Sequence, residues 1–271
     1  MTGTPLRITS QDNAHFKALL KLQQSSRERR KSGRSVLDGV HLVSAYFQYA
    51  GAPEEIVVAE FALDNVEIAN LLSRYDVEPL VLADGLFRAL SSVSSPTGII
   101  AVVKTPRVPA RSQAPGPCVM LEDIQDPGNL GSIFRSAAAA GVDEVYLSNA
   151  CVQAWSPRVL RAGMGAHFAL RIFEGVDLQA LLETYPGAVL AAVREGGTPV
   201  YEADLRGQVA LLFGNEGAGL SRELQAAAHR SICIPMPGTA ESLNVAAAAA
   251  VCLFERVRQL SIATRHHTAC G

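Results

Sequence analysis

Three segments in the second half of the chain carry polar side chains suited to ligand binding and group transfer. They are residues 122–135, 214–221 and 234–245. Each starts at the end of an apolar run that predicts a buried strand, and each leads into a predicted helix. Glycines let the backbone approach a ligand closely, and prolines stiffen a loop before a ligand arrives. Because ligands of parallel sheets bind at the carboxyl ends of the strands, we expect the three segments to form one site. Taken alone, residues 234–245 are equally consistent with an ordinary strand-loop-helix joint.

Familiar catalytic motifs are missing from these segments. The second segment spaces its glycines as G-x-x-G-x-G, which differs from the dinucleotide-binding fingerprint, and the first lacks the Gly-Lys-Ser/Thr of a phosphate-binding loop. No Gly-x-Ser-x-Gly nucleophile motif occurs, and the six histidines form no acid-base set. The five cysteines are scattered and have no metal-ligand spacing. We therefore expect no metal site, and reduced thiols in a cytoplasmic protein.

The apolar pattern predicts an α/β protein with two domains. Residues 1–104 alternate short strands and helices, which predicts a small α/β domain. Residues 105–117 contain four prolines and predict a linker. Residues 118–271 contain nearly continuous apolar strands separated by helices, which is typical of a parallel sheet covered on both faces. No apolar run reaches the roughly 18 residues of a membrane span, so we expect no membrane association.

The first 34 residues are strongly basic, although the whole chain has a net charge of only −2. Residues 12–31 predict one amphipathic helix with a basic end. Such asymmetry is expected of an arm that binds a polyanion, but a solvated helix face explains it equally well. The candidate phosphate-binding residues of this arm are Lys17, Lys21, Arg27, Arg29, Arg30 and Lys31.

The three segments resemble the three motifs of the SpoU (TrmH-like) branch of the SPOUT methyltransferases. Residues 126–131 (Asp-Pro-Gly-Asn-Leu-Gly) with Arg135 resemble the first motif, and residues 213–219 resemble the second. Residues 234–236 together with 242–245 resemble the third. The first half is similar to the RNA substrate-binding domain of the family, at Asn13, Leu37-Asp38-Gly39 and residues 95–99. The chain departs from the family at Ala14, often proline there, and at Ala246, where a small polar residue is common.

The resemblance implies a trefoil-knotted methyltransferase domain that binds S-adenosylmethionine and methylates a ribose 2′-hydroxyl. Arg135 matches the catalytic arginine of the family, and we expect it to grip an RNA phosphate and polarise the hydroxyl, since guanidinium is a poor base. The other matching catalytic positions are Asn129, Glu216, Ser242 and Asn244. The matching or adjoining cofactor positions are Gly214, Asn215, Gly219, Ile234, Met236 and Leu243.

The resemblance also implies partners. The family is dimeric, so we expect a homodimer with the last helix at or near the interface. The N-terminal domain favours ribosomal RNA as the substrate, with Arg158 and Arg161 as additional phosphate contacts from the catalytic domain. Two alternatives stay open: methylation of tRNA, and an RNA-binding ribosome-assembly factor that has lost catalysis.

Overall fold

A computed structural model describes residues 6–106, 108 and 115–268 of the chain. The protein divides into two compact units, one drawn from residues 1–107 and 155–168, the other from residues 108–154 and 169–271. Much of the predicted linker, residues 107 and 109–114, lies outside the described residues, as does Cys270. No helix in the described part of the chain is long and apolar enough to cross a membrane.

The first unit contains a mixed five-stranded sheet in the order β1-β4-β3-β5-β2. Strand β5 is antiparallel to β2 and to β3, and β4 is parallel to β1 and to β3. The central strands are buried because their side chains are almost all aliphatic. The elements are β1 (Arg7–Ile8), α1 (Ala14–Gln24), α2 (Ser26–Ser32), β2 (Arg34–Asp38), α3 (Val40–Tyr49), β3 (Glu55–Ala59), α4 (Val66–Tyr75), β4 (Leu80–Leu82), α5 (Asp84–Leu90) and β5 (Ile99–Lys104).

The prediction of one helix over residues 12–31 is wrong, because the structure breaks it at Ser25. Ser25 has extended backbone angles, and its hydroxyl accepts a hydrogen bond from the Glu28 amide, so it caps the second helix. Asn13 caps the first helix through the amides of His15 and Phe16. The basic residues therefore lie on two short helices.

The second unit contains a seven-stranded sheet in the order β10-β12-β9-β11-β6-β7-β8, with every neighbouring pair parallel. The predicted α/β class with a C-terminal parallel sheet is confirmed, whereas the trefoil knot stays a prediction. The elements are β6 (Cys118–Leu121), α6 (Pro127–Ala139), β7 (Glu144–Leu147), α7 (Pro157–Gly163, packed in the first unit), β8 (Arg171–Phe173), α8 (Leu178–Thr184), β9 (Ala188–Ala192), β10 (Thr198–Pro199), β11 (Val209–Phe213), α9 (Arg222–Ala227), β12 (Arg230–Cys233) and α10 (Val245–Thr268).

Residues 155–168 belong to the first unit although the chain reaches them from the second. The ring of Phe168 packs edge-on against Tyr46 with centroids 5.4 Å apart. A side chain at Gly165 would come within 3.1 Å of Ala45 Cβ, so this segment lies tightly against α3. Arg158 and Arg161 are exposed on α7. They are therefore surface residues of the first unit, which differs from the expectation that the catalytic domain presents them.

Candidate active site at the carboxyl edge of the parallel sheet

The site begins where β6 and β11 lie side by side in the centre of the parallel sheet. Leu121 pairs with Phe213 at the last register position of both strands. Beyond β6 the chain moves to β7 and β8 on one side, whereas the later strands β9 to β12 lie on the other side. This reversal is the place at which open parallel sheets bind ligands. It brings the first two predicted segments together.

Asn215 organises the second segment. Its side-chain oxygen accepts hydrogen bonds from the amides of Gly217 and Ala218 at 2.9 and 3.0 Å. Its backbone exchanges two hydrogen bonds with Gly219, which has a positive φ of 74°. Its side-chain nitrogen donates to the carbonyl oxygen of Asp123. Asn215 therefore closes this loop and anchors it to the first segment.

Gly214 is required by the packing of the same loop. A Cβ at this position would lie 2.3 Å from the carbonyl carbon and oxygen of Gly219 and from the Leu220 nitrogen. These are backbone atoms that cannot move aside without unfolding the turn. The glycine thus keeps the loop narrow beside the end of β11.

Glu216, Asn129 and Asn244 form a hydrogen-bond chain that joins all three segments. Nδ2 of Asn129 donates to Oε1 of Glu216 at 3.1 Å, and Nδ2 of Asn244 donates to Oδ1 of Asn129 at 2.8 Å. Oδ1 of Asn244 accepts from the amide of Ala246 at the start of α10. We call these three side chains the relay. Each hydrogen bond needs one donor and one acceptor, so the side-chain amides of Asn129 and Asn244 must both direct their nitrogen toward Glu216 along the chain.

The relay stabilises Glu216 as a carboxylate. Oε1 also accepts from the Asp126 amide at 3.0 Å, and Oε2 accepts from the Gln125 amide at 3.3 Å. Partial burial raises the pKa of Glu216, but hydrogen bonds from its own amide, from Asn129 and from the Asp126 and Gln125 amides bring it below the ordinary 4.5. The carboxylate therefore holds the start of α6 against the second segment.

Helix α6 is capped by Asp126. Its Oδ1 accepts from the Asn129 amide at 2.8 Å, and Pro127 occupies the first helical position. The side chain of Asn129 is therefore available for the relay.

A cavity of about 340 Å³ opens beside the relay at the carboxyl ends of β9, β11 and β12. This volume lies within the range of small-molecule sites, roughly 300–1,000 Å³. Glu216 and Ser242 also contribute to its wall, and Cys252 of α10 lines it. All six predicted cofactor residues line it: Gly214, Asn215, Gly219, Ile234, Met236 and Leu243.

The wall fits S-adenosylmethionine chemically. Ile234, Met236 and Leu243 offer apolar surface for an adenine ring, and the glycine loop offers backbone groups at a position where a Cβ has no room. Glu195, Glu216 and Glu241 place carboxylates along the same wall, which suits a ligand with a sulfonium and an ammonium group.

Arg135 and Ser242 are not members of the relay. Arg135 is exposed on α6, and within the described residues it makes no hydrogen bond or ion pair. It follows Asn129 by six residues, roughly 9 Å along the helix axis. Ser242 is exposed at the cavity mouth. Both side chains are therefore free to meet a substrate, and their catalytic roles stay predictions.

The sequence reasoning missed one wall of the cavity. Arg194 and Glu195 follow β9, and Nη2 of Arg194 donates to the carbonyl oxygen of Gly217 at 3.0 Å. Gln225 of α9 also lines the cavity. Arg194 and Glu195 could have been predicted from the sequence, because they follow a predicted parallel strand, and the carboxyl ends of such strands lie at the same sheet edge.

Arg29 differs from the rest of the predicted basic arm. It is 5% exposed, and Nη1 donates to the carbonyl oxygens of Leu22 and Gln23 at the end of α1. The guanidinium of Arg29 therefore stabilises the first unit, and we no longer expect Arg29 to contact a phosphate. The other members are exposed: Lys17, Lys21, Arg27, Arg30 and Lys31. Lys17 forms an ion pair with Asp12 at 2.8 Å.

Comparison with known proteins gives the class of the molecule. Residues 116–254 match the SpoU rRNA Methylase family, and residues 13–101 match the MRM3-like substrate binding domain. The 23S rRNA (guanosine(2553)-2′-O)-methyltransferase RlmP of Bacillus subtilis is 31% identical over 92% of this chain and 98% of its own length. The 23S rRNA (uridine(2479)-2′-O)-methyltransferase of Streptomyces viridochromogenes is 29% identical over 95% and 94%.

Solved structures agree with this class. A crystal structure of an RNA 2′-O ribose methyltransferase superimposes with a TM-score of 0.82 at 30% identity, covering 94% of this chain and 99% of the other. The SpoU methyltransferase AviRb from Streptomyces viridochromogenes, in complex with AdoMet, gives 0.81 at 26% identity, covering 91% and 98%. These comparisons place the chain among the S-adenosylmethionine-dependent RNA ribose 2′-O-methyltransferases. The chain belongs to the SpoU rRNA methylase family, which confirms the family, enzyme class and cofactor predicted from sequence.

Proposed function

We propose that this protein methylates a ribose 2′-hydroxyl of ribosomal RNA. Relatives that match nearly the whole chain, including its first unit, are named as 23S rRNA enzymes. A solved structure of a protein that acts in 2′-hydroxyl methylation of tRNA covers only 53% of the chain. The 23S rRNA methyltransferase RlmB of Xylella fastidiosa also matches only 53% of the chain. The support for rRNA therefore comes from the 23S rRNA enzymes that match both units.

The relay is the observation that carries the catalytic proposal. It fixes Asn129 between two segments, with Glu216 held as an anion by backbone amides. Bound S-adenosylmethionine supplies an electrophilic methyl group. The chain must position the ribose, exclude water and accept or stabilise charge at the 2′-oxygen. The relay sets the cavity wall against the start of α6, and Ser242 at the mouth adds a hydroxyl that can hydrogen-bond the ribose.

Arg135 takes the RNA phosphate in this proposal. It is exposed and unpaired within the described residues, so a phosphate does not have to displace a protein carboxylate. A guanidinium binds phosphate through two parallel hydrogen bonds and stays protonated near neutral pH. We assign it to gripping the phosphate and polarising the 2′-hydroxyl.

Transfer of radiolabelled methyl groups tests the proposal. The protein is incubated with labelled S-adenosylmethionine and either rRNA or tRNA from a strain that lacks the gene. Label in rRNA at a ribose supports the proposal. Label in tRNA alone supports the first alternative. Cofactor and rRNA binding without transfer supports the inactive assembly factor, which the intact relay disfavours. Mapping ribose methylation in that strain would then identify the nucleotide.

A homodimer formed through α10 is part of the same proposal. Phe254 is 49% exposed and Ile262 is 43% exposed on this helix, whereas Leu253 and Cys252 are buried. Exposed apolar side chains of this size on one helix suit burial by a second copy. Sedimentation equilibrium should give the mass of a dimer, and Phe254→Glu should shift it toward the monomer, whereas Tyr49→Glu, at an exposed aromatic of the first unit, should not.

We propose that the protein is located in the cytoplasm. The described cysteines are free thiols, in line with a reducing compartment. Relatives include a mitochondrial rRNA methyltransferase 3 of the mouse, so localisation by fluorescent fusion is the direct check.

A further inference from the structure

The carboxyl edge of the mixed sheet carries a surface that the methyl-transfer site does not use. Strands β2 and β3 are antiparallel to β5, so Asp38 pairs with Ile100 and Val58 with Ile99 at one edge. Strand β4 is parallel to β3 and ends at the same edge. Residues 60–62, α5 and the loop of residues 91–98 meet there.

Phe61 is an exposed aromatic ring held rigidly at this edge. It is 44% exposed, and its backbone amide donates to Oδ1 of Asp84 at 2.9 Å. Its ring packs edge-on against the fully buried Phe87, with centroids 6.2 Å apart. A Cβ at Gly98 would lie 3.1 Å from its Cε2, so the loop touches the ring. The ring therefore loses little conformational entropy when a ligand stacks on it.

Positive charge and hydroxyl groups surround the ring. The guanidinium carbon of Arg88 lies 5.8 Å from the Phe61 ring centroid, within the range of cation–π attraction. The adjoining loop exposes the hydroxyls of Ser94, Ser95 and Thr97.

A buried carboxylate shapes that loop. Oδ2 of Asp38, which is 9% exposed, accepts from the Ser91 hydroxyl and from the Ser92 amide and hydroxyl at 2.8–3.0 Å. The hydroxyl-bearing residues thus project from a fixed backbone. We call Phe61, Arg88 and residues 91–98 the edge platform.

We propose that the edge platform binds an unpaired RNA base, with the base stacked on Phe61. Proteins recognise single-stranded RNA by stacking exposed bases on aromatic rings and contacting phosphate and ribose with arginine and hydroxyl groups. The edge platform supplies each of these groups. The inference rests on the proposed function, because it takes RNA as the ligand. It adds a second contact region to the first unit beside the basic helices α1 and α2.

Binding of a 12-nucleotide uridine- and cytidine-containing RNA, single-stranded or as its duplex, tests this inference in the full chain. A stacked base contributes roughly 1–3 kcal/mol, so Phe61→Ala and Phe61→Leu should weaken single-strand binding about tenfold or more. Phe61→Tyr should retain it, and duplex binding should change little. Tyr49→Ala removes another exposed aromatic of the first unit and should have no effect. Equal affinity of folded Phe61→Ala and wild type would overturn the inference.

Photocrosslinking covers the case in which the variants do not fold. An RNA carrying 5-bromouridine should crosslink to the wild-type peptide that contains Phe61, and crosslinks confined to other peptides would overturn the inference. Methyl transfer by the wild type is scored separately. If the protein methylates rRNA but binds RNA independently of Phe61, the proposed function is supported and this inference is overturned. If RNA binding depends on Phe61 but no methyl group is transferred, this inference is supported and the proposed function is overturned.

Discussion

The side-chain nitrogen of Asn244 donates a hydrogen bond to Oδ1 of Asn129 over 2.8 Å, joining residues 115 positions apart in the chain. Asn244 also caps α10 through the amide of Ala246. The last helix is thereby connected through Asn129 to Glu216. A change at any relay member should therefore affect the other two.

Asn129→Ala should lower the rate of methyl transfer with little loss of cofactor affinity. The variant removes the central link of the relay, whereas Asn129 does not line the cavity. A misplacement of about 1 Å can cost of the order of 10²-fold in rate. Single-turnover transfer and calorimetric cofactor binding would measure the two effects. Asn65→Ala, which removes a helix cap in the first unit, is the matched control. Near-normal transfer by folded Asn129→Ala would show that the relay is dispensable.

Gly214→Ala should weaken cofactor binding by tenfold or more. The added Cβ would meet three backbone atoms at 2.3 Å, so the loop must open beside the cavity. Gly238→Ala is the control, because a Cβ there meets nothing within 4 Å although it lies in the third segment. Calorimetry on both variants gives the comparison. Unchanged affinity in Gly214→Ala would place the cofactor elsewhere.

Arg135→Ala and Arg135→Lys should both lower kcat/KM by roughly 10²–10³-fold, in the range of losing one donor to a charged transition state. Lysine should not rescue activity, because it lacks the bidentate fork. Cofactor affinity should stay unchanged. Arg222→Ala removes another exposed arginine of the second unit and should retain activity. Full activity of Arg135→Ala would remove Arg135 from the mechanism.

Arg29→Ala should destabilise the protein, whereas Arg30→Ala should not. Arg29 is buried and makes two hydrogen bonds to carbonyl oxygens of α1, and a charge-assisted bond contributes about 2 kcal/mol. Urea unfolding would measure this loss. Arg30→Ala should instead weaken RNA binding and reduce its salt slope by about one. The reverse pattern would mean that Arg29 faces RNA.

Acid should weaken the relay through Glu216. Because its pKa in the folded protein lies below the ordinary 4.5, the carboxylate contributes stability at pH values above 4.5. That contribution is lost as the pH falls through the folded pKa. Glu216→Gln should therefore be less stable than wild type near pH 7, with the difference shrinking below pH 4.5. Urea unfolding at both pH values checks this, and a constant difference would contradict it.

Most strands were predictable because their signal is local. Residues 209–213 and 56–59 are continuous apolar runs, and the structure places β11 and β3 at those positions. The two-residue strands β1 and β10 were not predicted, because two residues are too few to show the apolar pattern of a strand. The break at Ser25 was also missed, because polar and basic residues that favour a helix continue across it, while the Ser25 hydroxyl starts a new helix.

The sequence alone determined the three segments, their chemistry and the family, because glycine, proline and polar side chains at fixed spacing mark a site before it folds. It also predicted six cofactor residues, and all six line the same cavity. Only the tertiary structure decided that Glu216, Asn129 and Asn244 share one hydrogen-bond chain, that Arg29 is buried, and that Phe61 stands beside Arg88. Such contacts depend on which strands pair and which loops meet at a sheet edge, and residue spacing along the chain does not encode those distances.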